Sequence, residues 1–414
     1  MQSNSAAIYF DRYAWKTPLF KDWTPESTTA IVIVLPAYNE PELLKAIHSL
    51  AACHQPSSTV TLLVLINESV QSNELIVQTN KRVYKEVSGL KSLPPWLTLK
   101  VSHLKLPNKK AGVGLARKIG MDEAARWFYL MDKNGVIVCF DADSTCTKNY
   151  LMEIEKSFLN QKRHVSITHY EHPLNPSSGI IPYELHLRYY ANALSFAGYP
   201  KSFQTLGSCI VVDFDTYVKV GGMNTRKAGE DFYFLHKVAL STPIHELKNA
   251  TIFPSDRLSE RVPFGTGRAL LGYKKSKQLL TYSIDAFLDL KDHILSNQPR
   301  ILPVEEVGTP RMREFLIQQN FDEALQKINA NSGSAGKRQQ QLFFNWWDGL
   351  RVLKYVHYCR DLGDQMLSPT KAIVTLNEQH WKEEIPSKET ELLRWIRSKD
   401  RSYNSSNKSF TPAG

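Results

Sequence analysis

The sequence predicts an α/β protein: a doubly wound, mainly parallel sheet followed by an α-helical extension. Three observations carry that expectation. Short, wholly apolar runs recur through the first half of the chain, as in strands covered on both faces. Segments with apolar residues at helical spacing separate them, giving a βαβαβαβ rhythm whose ligands belong at the carboxyl ends of the strands. Beyond Leu270 the strand-like runs stop and helical periodicity continues alone.

The first strand is 30–35 (AIVIVL), closed by a turn at Pro36. A helix follows, with Leu43, Leu44, Ile47 and Leu50 at helical spacing. The second strand is 61–66 (TLLVLI), then a polar helix over 74–87, a third strand over 97–104 and a helix over 115–130. The fourth strand is 136–140 (VIVCF). The spacing predicts further helices in LLTYSIDAFLDLKDHIL and MREFLIQQNFDEALQKI, a linker-like interruption at 329–341, and a disordered tail, DRSYNSSNKSFTPAG. In LFFNWWDGLRVLKYVHY one helical face would carry Phe343, Trp346, Trp347, Leu350 and Leu353; packing against the catalytic domain is the preferred reading, a membrane interface the other. The organisation read from this is an N-terminal extension (1–29), a catalytic domain (30–254), a basic loop with helical extension (255–328), the linker-like segment (329–341) and a C-terminal helical region (342–414).

Composition narrows the partners without choosing among them. The chain has 414 residues, 42% hydrophobic and 22% charged, enough for a large core. Its net charge of +10 favours anionic company: nucleotide diphosphates, acidic glycans, a membrane surface or nucleic acid. Five cysteines, Cys53, Cys139, Cys146, Cys209 and Cys359, are odd in number and lack a CxxC pair, so neither a disulfide framework nor a zinc site is indicated. With no signal-peptide pattern and no run near the roughly 18 apolar residues of a spanning helix, a soluble, cytoplasmic protein is expected.

The chemistry concentrates at the strand ends. VIVCFDADSTC, 136–146, runs a buried strand into Asp141 and Asp143, and a turn there can aim both carboxylates at one point suited to a hard divalent cation. PAYNE (36–40) after the first strand and NES (67–69) after the second add an aromatic ring and hydrogen-bonding groups, as a base, a ribose and a metal-bound diphosphate require. Each segment alone also reads as an ordinary turn, which Asn, Asp and Ser favour.

Together VLPAYNE (34–40), FDADS (140–144), LGSCIVVDFDTYVKVGGMN (206–224) and GEDF (229–232) resemble glycosyltransferase family 2, over roughly 30–251. The resemblance implies a GT-A type fold and an inverting transfer from a nucleoside-diphosphate sugar. It places Pro36, Ala37, Tyr38 and Glu40 around the nucleotide, Asp141 at the ribose or metal, and Asp143 on a Mn²⁺ or Mg²⁺ ion bridging the diphosphate. Asp231 becomes the base, with Glu230 positioning the acceptor or the base; otherwise the two acids simply favour a helix N-terminus. Gly207 and Ser208 would flank donor sugar and acceptor, or form a plain turn. Where the family commonly has aspartate, this chain has Asn67 followed by Glu68, which leaves the base, uracil or guanine, open.

Two basic segments complete the candidates. Lys109 and Arg117 in PNKKAGVGLARKIG are candidate donor contacts, and GVG there is neither a dinucleotide fingerprint nor a P-loop. Arg257 and Arg261, before the glycines of FGTG, suit diphosphate oxygens; no histidine lies between Asn249 and Thr281 to serve as a third metal ligand. His169 and His172 are read as acceptor-site or structural residues. The resulting expectation is a metal-dependent glycosyltransferase acting from a UDP- or GDP-linked sugar on a glycan, lipid-linked or other hydroxyl acceptor in polysaccharide biosynthesis. It would be cytoplasmic, with peripheral contact at the inner membrane face and no nucleic-acid partner. A nucleotidyltransferase and a catalytically silent nucleotide-binding protein are the alternatives.

Overall fold

Residues 4–259, 265–298, 300–333 and 336–402 are described by a computed structural model of the chain. The chain divides into two units, Met1–Pro173 with Thr205–Gly265, and Leu174–Gln204 with Thr266–Gly414. The first opens with helix α1 (Asn4–Arg12) and strand β1 (Thr29–Ala37), then alternates α2 (Leu43–Ala51), β2 (Thr59–Ser69), α3 (Glu74–Ser88), β3 (Leu97–Leu106), α4 (Val113–Leu130) and β4 (Val136–Cys139). β5 (Thr145–Cys146), α5 (Tyr150–Glu155) and β6 (Val165–Tyr170) follow. After α6 (Ile180–Phe196), which belongs to the second unit, β7 (Ile210–Asp213), α7 (Phe214–Lys219), α8 (Glu230–Val238) and β8 (His245–Phe253) complete the first.

The eight strands form one sheet in the order β3-β2-β1-β4-β7-β6-β8-β5. β1 pairs in parallel with β2 and β4, and β2 with β3, while β7 runs antiparallel to both β4 and β6. The mainly parallel α/β sheet expected from the sequence is therefore present. β1 is buried on both faces along its whole length, which is why its side chains are apolar from Ala30 onward. Because the chain runs β1, β2, β3 to one side and returns to β4 on the other, the carboxyl ends of β1 and β4 are a topological switch point. Register aligns those ends: Val34 pairs with Cys139, and the Phe140 amide donates to the Val34 carbonyl at 3.0 Å.

The strands overrun their apolar cores. Pro36 and Ala37 lie in β1, paired with Leu65 and Ile66, and Asn67, Glu68 and Ser69 lie in β2, paired with Leu104, Lys105 and Leu106. Backbone pairing with a long neighbour carries polar residues into the ladder where side-chain pattern alone would end it.

The N-terminal segment is anchored through α4. Asp122, with no exposed surface, accepts hydrogen bonds from the Tyr9 and Tyr217 hydroxyls (2.5 and 2.6 Å) and the Trp15 amide (2.7 Å), and pairs with Lys118 at 3.0 Å. Four donors around one carboxylate satisfy a charge that would otherwise be costly to bury.

The second unit is helical: α6 with α9 (Thr266–Ser276), α10 (Asp285–Ser296), α11 (Pro310–Gln318), α12 (Phe321–Ser332), α13 (Gly336–Trp346), α14 (Gly349–Asp361), α15 (Pro369–Gln379) and α16 (Glu389–Ser402). Its core holds Leu185 and Tyr189 of α6 together with Phe287, Phe315, Phe343 and Trp347. Segment 174–204, which sequence reading placed within 30–254, thus packs with the C-terminal helices. The linker-like 329–341 instead carries the end of α12 and the start of α13. The aromatic stripe is not one helical face: Asp348 caps α14, accepting from the Arg351 amide, so the helix breaks after Trp346, and Phe343 and Trp347 are buried within their own unit. Residues 400–402 of the expected disordered tail end α16; the rest of the tail, and Arg261, lie outside the described residues. Among the described residues no helix is long and apolar enough to cross a membrane.

Candidate active site

Three clusters meet at the carboxyl ends of β1, β2 and β4. The first fixes the turn after β1. Asn39 takes a left-handed conformation (φ 49°), tolerable for asparagine, and its amide donates to Asn80 Oδ1 of α3 at 3.0 Å. Asn80 Nδ2 donates in turn to the Asn67 carbonyl (3.1 Å) and to Glu68 Oε2 (3.0 Å), and His103 lies 3.2 Å from the same Glu68 oxygen. Asn67 Nδ2 donates to the Ala37 carbonyl at 3.0 Å. With its amide hydrogens directed at the backbone, Asn67 has its Oδ1 acceptor to offer a ligand, the same kind of group an aspartate would present. Tyr38, just after β1, is half-buried, and Pro36 and Ala37 are buried.

The second cluster joins β1 to the segment after β8. Glu40, 2% exposed, receives both Nη atoms of Arg257, one at 2.7 Å. Arg257 Nη2 also lies 3.5 Å from Asp143 Oδ2, to which the Ser255 hydroxyl donates at 2.8 Å. The hydrogen bonds from Arg257 to Glu40 raise the guanidinium's affinity for its proton further. Asp143 itself is exposed.

The third cluster is centred on Arg117 of α4, 2% exposed, whose Nη1 pairs with Glu230 and Nη2 with Asp141 Oδ1 at 2.6 Å. The acidic end of β4 and the GEDF segment, distant in sequence, therefore share one buried guanidinium. Gly207 explains itself here: a Cβ built on it would stand 2.4 Å from Arg117 Nη1. Its missing side chain makes room for the arginine. Ser208 beside it is buried. Loop 224–229 approaches α4 as tightly, since a Cβ on Gly114 would meet the Arg226 carbonyl at 2.0 Å. Gly229, left-handed at φ 71°, turns the chain into α8, where Glu230 and Asp231 lie in the first turn.

Asp231 differs from its neighbour. Burial, then the negative charge of Glu230, pushes its pKa up to about 7, with Arg117 pulling the other way. Its Oδ1 accepts from the Phe232 amide at 2.8 Å.

Among the described residues, Glu40, Asn67, Asp141, Asp143, Gly207, Glu230 and Arg257 join these clusters through Arg117 and the strand ends, and Lys109 is exposed in the turn between β3 and α4. His169 pairs with Glu171 at 3.2 Å on β6. Ser255, Asn80 and His103 were not foreseen; nothing local in sequence marks them, because each gains its role from a long-range contact. Among the described residues no three His, Cys, Asp or Glu side chains converge as a metal cluster. The strand-end turn does offer hard carboxylate oxygens, the donor type that suits Mn²⁺ or Mg²⁺ when substrate oxygens complete the shell.

No family model and no curated protein matches the chain. Among solved structures it is similar to S. aureus TarS 1–349 in complex with UDP-GlcNAc, at 13% identity over 90% of this chain and 88% of that one, with a TM-score of 0.38. It is also similar to the UDP complex of the same fragment (16% identity, 86% and 94% covered, TM-score 0.38) and to S. aureus TarS (15%, 73% and 48%, TM-score 0.37).

Proposed function

We propose that the chain is a metal-dependent, inverting glycosyltransferase that moves a sugar from a nucleoside diphosphate to a hydroxyl of a glycan, lipid-linked or similar acceptor. One observation carries the reading: Arg117 ties Asp141, at the carboxyl end of β4, to Glu230, beside the carboxyl group whose proton affinity is raised. In this reading a donor site and a proton acceptor are joined at the switch point of the sheet, where nucleotides bind in such folds.

The base of the donor would lie between Tyr38 and Asn67. The Asn67 Oδ1 acceptor suits the imide N–H of uracil or the N1–H of guanine, and disfavours adenine and cytosine, which offer ring acceptors at that edge. Asp143, with Asp141, would hold Mn²⁺ or Mg²⁺; such an ion, when bound, offsets the charge gathering on the departing nucleoside diphosphate. Arg257, already beside Asp143, adds positive charge at the same place.

Asp231 is the better base of the acidic pair. Glu230 is held in an ion pair with Arg117, whereas Asp231, its pKa raised to about 7, sits near the ambient pH where a base works best. As the acceptor oxygen bonds to the anomeric carbon, its proton passes to Asp231 while the bond from that carbon to the diphosphate oxygen breaks. Attack opposite the leaving group, with no covalent enzyme intermediate, inverts the anomeric centre. A nucleotidyltransferase would leave Asp231 without a role.

The test is a screen of UDP- and GDP-sugars by thermal shift with and without Mn²⁺, followed by transfer assays with Asp231→Asn. The variant is expected to keep donor affinity within about twofold and lose on the order of 10²–10⁴-fold in transfer rate. Undiminished transfer by Asp231→Asn removes the assignment of the base, and no stabilisation by any nucleotide sugar removes the proposed activity.

A further inference from the structure

A second chemical feature follows directly on the acidic turn. Cys146 lies in β5, and its Sγ stands 3.7 Å from the Sγ of Cys53, just past the C-terminal end of α2. The backbone is held on both sides of this contact. The Cys146 amide donates to Ser49 Oγ at 2.8 Å, and the His54 amide to the Lys148 carbonyl at 2.7 Å. β5 is further fixed by its pairing with β8, Cys146 opposite Ile252. A disulfide needs its sulfurs about 2.04 Å apart, so these two have roughly 1.7 Å to close, within reach of side-chain rotation. Cys139, Cys209 and Cys359 are fully buried, and the sulfur next to Cys139 belongs to Met121.

Access is shared and reactivity differs within the pair. Cys53 is 6% exposed and Cys146 is only partly covered, so the pair lies just beneath the surface, where a small oxidant can reach it. A hydrogen bond from Cys146 lowers the Cys53 thiol pKa below its ordinary value, as neighbouring thiols do when one stabilises the other's thiolate.

We propose that Cys53 and Cys146 are a peroxide-responsive dithiol that forms a reversible disulfide. The Cys53 thiolate attacks a peroxide oxygen; the S–O bond forms, the O–O bond breaks, and hydroxide leaves as water after taking a proton. The Cys146 thiol then attacks the sulfenic sulfur of Cys53; the S–S bond forms, the S–O bond breaks, and the departing hydroxide takes the Cys146 proton and leaves as a second water. Two thiols are oxidised and one hydrogen peroxide is reduced to two waters. A dithiol reductant reverses the bond by exchange. The bond would pin the end of α2, which begins close behind Glu40, to the strand just after Asp143. It therefore links two of the segments that build the site, and it stands whatever that site binds.

The experiment treats the intact protein with hydrogen peroxide, unfolds it in an alkylating reagent and maps the cysteines by peptide mass spectrometry. Of five thiols in the reduced chain, three are expected to alkylate, Cys139, Cys209 and Cys359, with one cross-linked peptide joining Cys53 to Cys146. Dithiothreitol should restore all five. In Cys146→Ser the cross-link should vanish and Cys53 should be captured by dimedone as a sulfenic acid. The proposal is overturned if all five alkylate after a dose that fully oxidises glutathione, if Cys53 oxidises while Cys146 still alkylates, or if a different pair is joined.

Discussion

Glu230 and Asp231 are adjacent in sequence and opposite in circumstance. Arg117 balances the first, while the second is half-buried with a like charge beside it and has its pKa raised to about 7 from an ordinary 3.8. Such a group stabilises the fold fully only below its unfolded pKa, and that contribution is lost as pH rises through about 7. Asp231→Asn should therefore raise stability at pH 8 by on the order of 2 kcal/mol, with the gain shrinking to nothing near pH 3. Urea unfolding of both proteins across that range checks it, and a gain that grows toward acid would reverse the sign. The same titration predicts transfer falling as pH drops below about 7, where the base is protonated. Gly207 gives a second prediction at this scale. Gly207→Ala must displace the Arg117 guanidinium from Glu230 and Asp141, leaving buried charge unmatched, and should cost about 3 kcal/mol or more by denaturant unfolding. Asp141, Asp143, Glu230 and Asp231 were legible in sequence because acids break an apolar pattern visibly. The reason for Gly207 was not, since the atom it accommodates comes from a helix some ninety residues earlier in the chain.

At the scale of elements, α1 shows how much a single buried carboxylate can organise. Asp122 gathers Tyr9, Trp15, Tyr217 and Lys118, so the segment before β1 is bound to α4, the helix that also presents Arg117. Asp122→Ala should strand those four donors and cost about 3–5 kcal/mol, whereas Tyr9→Phe, which removes one hydroxyl from a carboxylate that keeps other donors, should cost about 1–3 kcal/mol. Thermal unfolding of the two variants side by side checks the ordering; equal losses would mean that the network is not what holds α1. Long elements with one period, such as β1 and α4, were readable from sequence. The break between α13 and α14 was not, because Asp348 falls within an otherwise helical pattern and acts as a cap, a role decided by backbone geometry. The overrun of β2 into Asn67, Glu68 and Ser69 was hidden for the reverse reason: β3 supplies the pairing that composition argues against.

At the scale of the whole molecule, the sheet was predictable from alternating periods, while the allegiance of α6 was not. Its sequence lies between two strands of the first unit, yet its apolar residues belong to the helical core of the second. What binds it there is electrostatic as well as apolar. Glu184, with no exposed surface, accepts from Arg188 Nε at 2.7 Å and from Arg397 of α16 at 2.8 and 2.7 Å, and Arg188 also pairs with Asp400. One carboxylate thus joins the first helix of the unit to its last described one. Removing one partner of such a buried set leaves a charge that neither water nor protein satisfies, which outweighs the modest net value of the intact pair. Glu184→Ala is accordingly expected to destabilise the helical unit by about 3–5 kcal/mol, and Glu184→Gln by less, since the amide oxygen still accepts. Hydrogen exchange resolved by peptide should show protection lost together in 180–196 and 389–402. Loss in α16 alone would mean that Glu184 is a local clamp on a terminal helix, and that α6 owes its place to apolar packing by itself.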